Sequence, residues 1–207
     1  MTDSVVIITG GSRGIGRAAA LAAAARGYRI VVGYASNEAA AKDVVAKIEA
    51  KNGKAIAVKC DVGKEEMMAV NVTGSILCAR EAVKRMSTKH GGKGGVIVNI
   101  SSVAAKLGAP NTYVDYAASK GAIDSFTLGL GLEVADEGIR VAGIRPGLID
   151  TEIHAAGGEP DRAHRLAHMV PMKRVGQAEE IANAVVWLMS DEASYVTSTT
   201  IDVSGGR

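Results

Sequence analysis

The chain has 207 residues, with 24 Lys plus Arg against 22 Asp plus Glu and a formal net charge of +2. Hydrophobic residues make up 47% and charged residues 22%, which excludes a mainly disordered chain. The balanced charge and the lack of a basic run argue against nucleic acid as a partner, and no apolar run reaches the roughly 18 residues of a membrane span.

The apolar run Val5-Val6-Ile7-Ile8 predicts a buried strand, and the Ala-rich stretch over 14–26 predicts a helix stopped at Gly27. A second strand is expected over 29–34 and a helix over 37–52, with Val44, Val45 and Ile48 at helical spacing. A third strand follows over 55–60, then a helix over 68–86. Gly91, Gly92, Gly94 and Gly95 mark a surface loop before a strand over 96–100. The remaining elements are a long helix over 113–134, a strand over 139–144 ending at Pro146-Gly147, a helix over 178–189 and a last strand over 199–203. No internal repeat interrupts this order. Alternating strands and helices imply an α/β fold of the Rossmann type, a doubly wound parallel sheet with helices on both faces in a single domain over 1–207. Cys60 and Cys78 sit in apolar patterns and read as buried thiols of a reducing compartment. The N-terminus has no basic stretch before its apolar run, so no secretory leader is read there and a cytoplasmic location is expected.

The first strand runs into Thr9-Gly10-Gly11-Ser12-Arg13-Gly14-Ile15-Gly16 and then a helix. Gly10 suits a tight turn, Gly14 a close backbone approach to a pyrophosphate, and Gly16 tight helix–strand packing. Free N–H groups at the helix start would face the phosphates. Gly10, Ser12, Arg13, Gly14, Ile15 and Gly16 are therefore candidate cofactor-binding residues. The end of the second strand reads the adenosine ribose, and Tyr34, Ser36 and Asn37 stand there with no acid before Glu38. An acid would select NAD, whereas the Arg13 guanidinium suits a 2′-phosphate. NADP(H) is the expected cofactor, with NAD(H) as the alternative.

Tyr116 and Lys120 stand at i and i+4 on the long helix, hence on one face. A phenol near pKa ~10 is a poor base at neutrality, and a neighbouring ammonium is expected to lower it. Ser101 and Ser102 end the strand over 96–100, at the carboxyl edge where ligands bind in such sheets. Adjacent residues point to opposite faces, and Ser102 is taken as the one facing the cleft.

Together with Asn99-Ile100-Ser101-Ser102 and Arg145-Pro146-Gly147, these motifs resemble the short-chain dehydrogenase/reductase family, most of all its compact members related to glucose dehydrogenases and 3-oxoacyl-ACP reductases. The resemblance implies hydride transfer between a nicotinamide and a carbonyl/alcohol pair. It implies that Tyr116 is the general acid/base, that Lys120 lowers its pKa and binds the nicotinamide ribose, and that Ser102 binds the substrate oxygen. By the same resemblance Asn71 holds a proton-relay water, Asp61 and Val62 contact the adenine, and Ile149 and Thr151, following Pro146 and Gly147, hold the carboxamide. Residues 152–174 match a substrate lid. His164 and His168 stand at i and i+4 within it, but no metal site is expected because no further ligand completes a set. A small-molecule substrate and a homotetramer, or a dimer, are the implied partners. The rival reading is a catalytically silent dinucleotide-binding or redox-sensing module.

The sequence departs from the family at one place. An Asn-Asn-Ala-Gly-like strand normally separates the Asp61 region from the Asn71 region, and here they almost adjoin. A segment is therefore expected to be missing near Glu66-Met67, either deleted or left out of the sequence as read. The second alternative is preferred. A true deletion would strip strand one of its neighbour and leave backbone groups unpaired in the core, at roughly 1–3 kcal/mol each.

Overall fold

The computed structural model describes residues 4–60, 68–152 and 161–207. Its strands are all parallel and alternate with helices in a Rossmann-like α/β fold. Two compact units divide the chain, Met1–Asp61 with Leu148–Val186, and Val62–Gly147 with Trp187–Arg207.

The first unit is built on β1 (Val5–Ile8), β2 (Arg29–Tyr34) and β3 (Ala55–Lys59), hydrogen-bonded in the order β1-β2-β3. Helices α1 (Gly14–Ala25) and α2 (Glu38–Glu49) connect them. Ile30, Val32 and Tyr34 alternate along β2 and pack with Ala20 and Ala23 of α1 and with Ala41, Val44 and Ile48 of α2. Small alanines let α1 lie close to the sheet, which is how a core with one Phe and one Trp is filled. The alternate face is different. Val5 is 53% exposed, Ile7 70% and Ile56 59%. β1 pairs only with β2, so its other edge is open among the described residues. Short strands β6 (Ile149–Asp150) and β7 (Gly176–Gln177) pair with each other in this unit.

The second unit holds β4 (Gly95–Ile100), β5 (Ile139–Pro146) and β8 (Thr199–Val203) in the order β4-β5-β8. Helix α3 (Ser75–Met86) and the long α5 (Val114–Val134) pack on it. Val134, Ile139 and Val141 form its buried centre with Val83, Met86, Ile97 and Leu130 around them. Arg140 spans three carbonyls, donating to Leu188, Val196 and Ser190 oxygens, and so caps the end of α7 (Ala178–Met189).

Several expectations need correction. The helix predicted over 68–86 begins as a π-helical segment, Ala69–Gly74, before α3. Its wide turns place the Asn71 carbonyl where it accepts from the Ser75 hydroxyl at 2.8 Å. Cys78 is exposed rather than buried, because it lies on the outward side of α3, and Cys60 is half-buried. The short α4 (Ala104–Leu107) and α6 (Arg162–Arg165), together with β6 and β7, are too brief to leave a periodic signal. The expected break at Glu66-Met67 lies outside the described residues, as do residues 153–160 of the anticipated lid.

Candidate active site

The Gly-rich turn is a consequence of two tight backbone approaches. Gly10 takes φ +63° to reverse the chain after β1. A Cβ on Gly16 would lie 2.3 Å from the Gly10 carbonyl oxygen, so only glycine lets α1 start this close to the turn. Gly11 N–H donates to the Gly33 carbonyl at 2.9 Å, tying the turn to the end of β2. Arg13 is the N-cap of α1, with no side-chain cap and no acid in the first turn. Ser12, Gly14, Ile15 and Gly16 therefore surround a helix start that repels no anion. Gly14 has φ +51°, and a Cβ there would touch Thr151 at 3.7 Å. Ile149 is buried in β6. Such a turn fits a dinucleotide pyrophosphate.

The Arg13 guanidinium is exposed and 4.0 Å from Glu152. Ser36 and Asn37 are exposed at the end of β2, but the Asn37 side chain accepts the Ala40 N–H at 2.9 Å and so caps α2. Tyr34 is only 8% exposed and belongs to the core. Asp61 and Val62 lie outside the described residues.

In the second unit, α5 presents Tyr116 and Lys120 one turn apart, with the ammonium 5.6 Å from the centre of the phenol ring. Ser102 stands near enough to the phenol to lower its pKa, and its hydroxyl accepts the Ala104 N–H at 3.1 Å. Ser101 is 3% exposed and donates to the Lys120 carbonyl at 3.1 Å, so of the two serines it is Ser102 that meets Tyr116. Lys120 Nζ donates to the Ile100 carbonyl at 2.9 Å, fixing the end of β4 against α5. Asn71 Nδ2 donates to the Ser119 hydroxyl at 3.0 Å, and Ser119 donates to the Tyr116 carbonyl at 2.8 Å. Ser119, buried and unremarked by motif reading, links Asn71 to the Tyr116 backbone. Its only sequence signal is its place inside Tyr116-Ala117-Ala118-Ser119-Lys120. Pro146 ends β5, its carbonyl accepting the Val103 N–H at 3.1 Å, and Gly147 N–H donates to the Val203 carbonyl at 3.1 Å.

The electrostatics differ from the sequence expectation. Burial pushes the Tyr116 phenol above its ordinary value, and the Ser102 hydrogen bond only partly opposes this. Burial also lowers Lys120 to about 8, with the Asp124 carboxylate opposing. Burial, opposed in part by Ser102 and not by Lys120, sets the direction for the phenol in the protein alone.

His164 lies 3.5 Å from the Asp150 carboxylate, and His168 Nδ1 is 3.0 Å from the Arg165 carbonyl. α6 ends at Arg165, so the two rings do not share a helix. No group of three or more His, Cys, Asp or Glu is placed to hold a metal among the described residues.

Comparison with known proteins places this geometry. The sequence model of the short chain dehydrogenase family matches residues 4–68, and that described as enoyl-(acyl carrier protein) reductase matches residues 63–207. The chain belongs to the short-chain dehydrogenase/reductase family. It is therefore an oxidoreductase of a family that uses a nicotinamide dinucleotide. The uncharacterized oxidoreductase YgfF of Escherichia coli is 47% identical, with 99% of this chain and 100% of that protein covered. Glucose 1-dehydrogenase 2 of Bacillus subtilis is 35% identical, covering 100% and 95%. The solved structure of the promiscuous keto-reductase LugOII superposes with a TM-score of 0.88 at 30% identity, covering 99% and 97%. The alignment with YgfF runs over 246 positions against 207 residues here, so at least 39 positions have no residue of this chain. The two family segments meet within residues 63–68.

Proposed function

We propose that this chain transfers a hydride between NADP(H) and a small carbonyl or alcohol, with Tyr116 as general acid/base. The observation that carries this reading is the Lys120 ammonium 5.6 Å from the Tyr116 ring and bonded to the Ile100 carbonyl at the end of β4, two residues before Ser102. The cofactor supplies the hydride. This chain's residues do the rest. In reduction, negative charge grows on the substrate oxygen. Ser102 donates a hydrogen bond to it while Tyr116 delivers its proton. Lys120 then stabilises the phenolate and holds the nicotinamide ribose. Ser119 and Asn71 orient the Tyr116 turn and lead the proton toward solvent. Pro146, Gly147, Ile149 and Thr151 hold the carboxamide end, and Gly10 to Gly16 hold the pyrophosphate.

The preference for NADP(H) rests on Arg13, exposed at the start of α1 with a weak, solvent-screened partner in Glu152. Binding a 2′-phosphate would displace that partner. Activity with NADPH and NADH over a panel of ketones, sugars and 3-oxoacyl thioesters tests both halves of the reading. Turnover of the panel with NADH but not NADPH would falsify the Arg13 argument. A homo-oligomer fits the exposed Leu128 and Leu132, one turn apart on α5, together with Ile76 and Leu77 of α3. No helix among the described residues is long and apolar enough to cross a membrane, and a cytoplasmic location agrees with the cysteine content.

A second reading is favoured by one observation: among the described residues, one edge of β1 and one edge of β4 have no paired strand. The alignment with YgfF holds at least 39 positions without a residue of this chain, and the two family segments overlap at residues 63–68, the region where the family carries a further strand. We infer that this strand belongs to the active form. Without it the chain is a silent relative that retains Ser102, Tyr116 and Lys120. Ketone-dependent NADPH oxidation by the 207-residue chain itself decides between the two.

A further inference from the structure

We propose that Asp124 is a positioning residue that keeps Lys120 cationic, and that Arg145 sets how much of its charge reaches the ammonium. The inference rests on the catalytic reading above. Tyr116, Lys120 and Asp124 follow one another at four-residue steps, so α5 lays them along one face. Asp124 Oδ2 accepts from Arg145 Nε at 2.8 Å. Arg145 in turn donates to the Thr200 carbonyl at 3.0 Å and to Asp202 at 3.1 Å, and Lys106 donates to the other Asp202 oxygen at 2.6 Å.

The carboxylate that clamps α5 to β5 has a second oxygen to spare. Here Asp124 Oδ1 is buried and has no hydrogen-bond partner. A buried carboxylate oxygen left without a bond is costly, and a cation one helical turn away offsets part of that cost. The dependence runs in the other direction too. Burial alone drives Lys120 toward the neutral amine, and Asp124 is the charge that opposes it. Among the described residues, the ionisable groups linked to this pair are Tyr116 on α5, Arg145 on β5, Asp202 on β8 and Lys106 on α4. The facing group from β4 is the neutral Ile100 carbonyl. Arg145 attracts the same carboxylate and so competes with Lys120 for it.

The test is a titration of the lysine side chains by 15N NMR in the full chain without cofactor, which needs no turnover. Asp124→Asn should move the Lys120 midpoint down from about 8 by roughly one pH unit. Arg145→Met should move it upward, and Asp124→Glu should restore the wild-type midpoint. The opposite signs separate charge from loss of packing, which would not reverse between the two variants. Should Asp124→Asn fail to fold, Arg145→Met carries the test alone. In carbonyl reduction, Asp124→Asn should lose about fivefold at pH 8 and little at pH 6, where Lys120 is protonated in both proteins. A Lys120 midpoint unmoved in the folded variants overturns the proposal. Absent turnover in the wild type would instead count against the catalytic reading and leave the NMR result to decide the role of Asp124.

Discussion

Tyr116 carries two opposed requirements. It must donate a proton to a forming alkoxide and accept one from an alcohol, yet burial holds its phenol above the ordinary value. The positive charge of an oxidised nicotinamide would supply what Lys120 alone does not. Tyr116→Phe keeps the ring and removes the proton, and its kcat for reduction should fall by about 10²–10⁴-fold. An unchanged kcat, measured with NADPH and a ketone, removes Tyr116 from the mechanism. Lys120 gives a separate handle. Its folded pKa of about 8 lies below the ordinary 10.5. Between those values the unfolded chain binds the extra proton, so the contribution of Lys120 to stability rises with pH across that window. The stability difference between wild type and Lys120→Met should therefore shift in favour of wild type from pH 8 to pH 10, measured by urea unfolding. Tyr116, Lys120 and Ser102 could be found from the sequence because spacing on a helix and the end of a strand fix their positions. The sign of the net shift on Tyr116 could not, because desolvation depends on neighbours from α4 and β4 that no spacing rule supplies.

At the scale of elements, the turn into α1 and the start of α2 show how far a motif constrains its surroundings. Gly16→Ala would drive a Cβ to 2.3 Å from backbone oxygen, which cannot swing aside. The variant should lose about 1–3 kcal/mol of stability and at least tenfold in NADPH affinity, read by urea unfolding and by quenching of Trp187 fluorescence. Asn37 separates two roles. As N-cap of α2 it accepts from Ala40, so Asn37→Ala should cost about 1 kcal/mol. If it also touches the cofactor, NADPH affinity falls by more than Asn37→Asp allows, since Asp keeps the cap. Most long elements were legible, with β2, α7 and β8 matching the anticipated bounds. Their apolar periodicity or β-branched content is strong. The π-helical segment at Ala69–Gly74 left no such signal, because six residues are too few to show a period.

At the scale of the whole molecule the question is what the sheet of the first unit meets on its second side. β1 and β3 read as continuous apolar runs, the pattern of strands covered on both faces. In the described residues only one face is covered. Val5, Ile7, Ile56 and Val58 remain exposed on the other, and the outer edge of β1 is unpaired. Such a face and edge favour association. The YgfF alignment leaves at least 39 positions without a residue of this chain, and a segment there is one candidate for the covering that the apolar runs call for. Two constructions separate the cases. In the 207-residue chain, Ile7→Lys and Ile56→Lys should change stability by no more than about 0.5 kcal/mol while reducing binding of the dye ANS. In a chain carrying the corresponding YgfF segment between Glu66 and Met67, the same substitutions should cost roughly 2–4 kcal/mol, because they would place ammonium groups in a closed core. A large loss in the 207-residue chain would mean that this face is already buried in solution, by a second copy or by residues outside the described set.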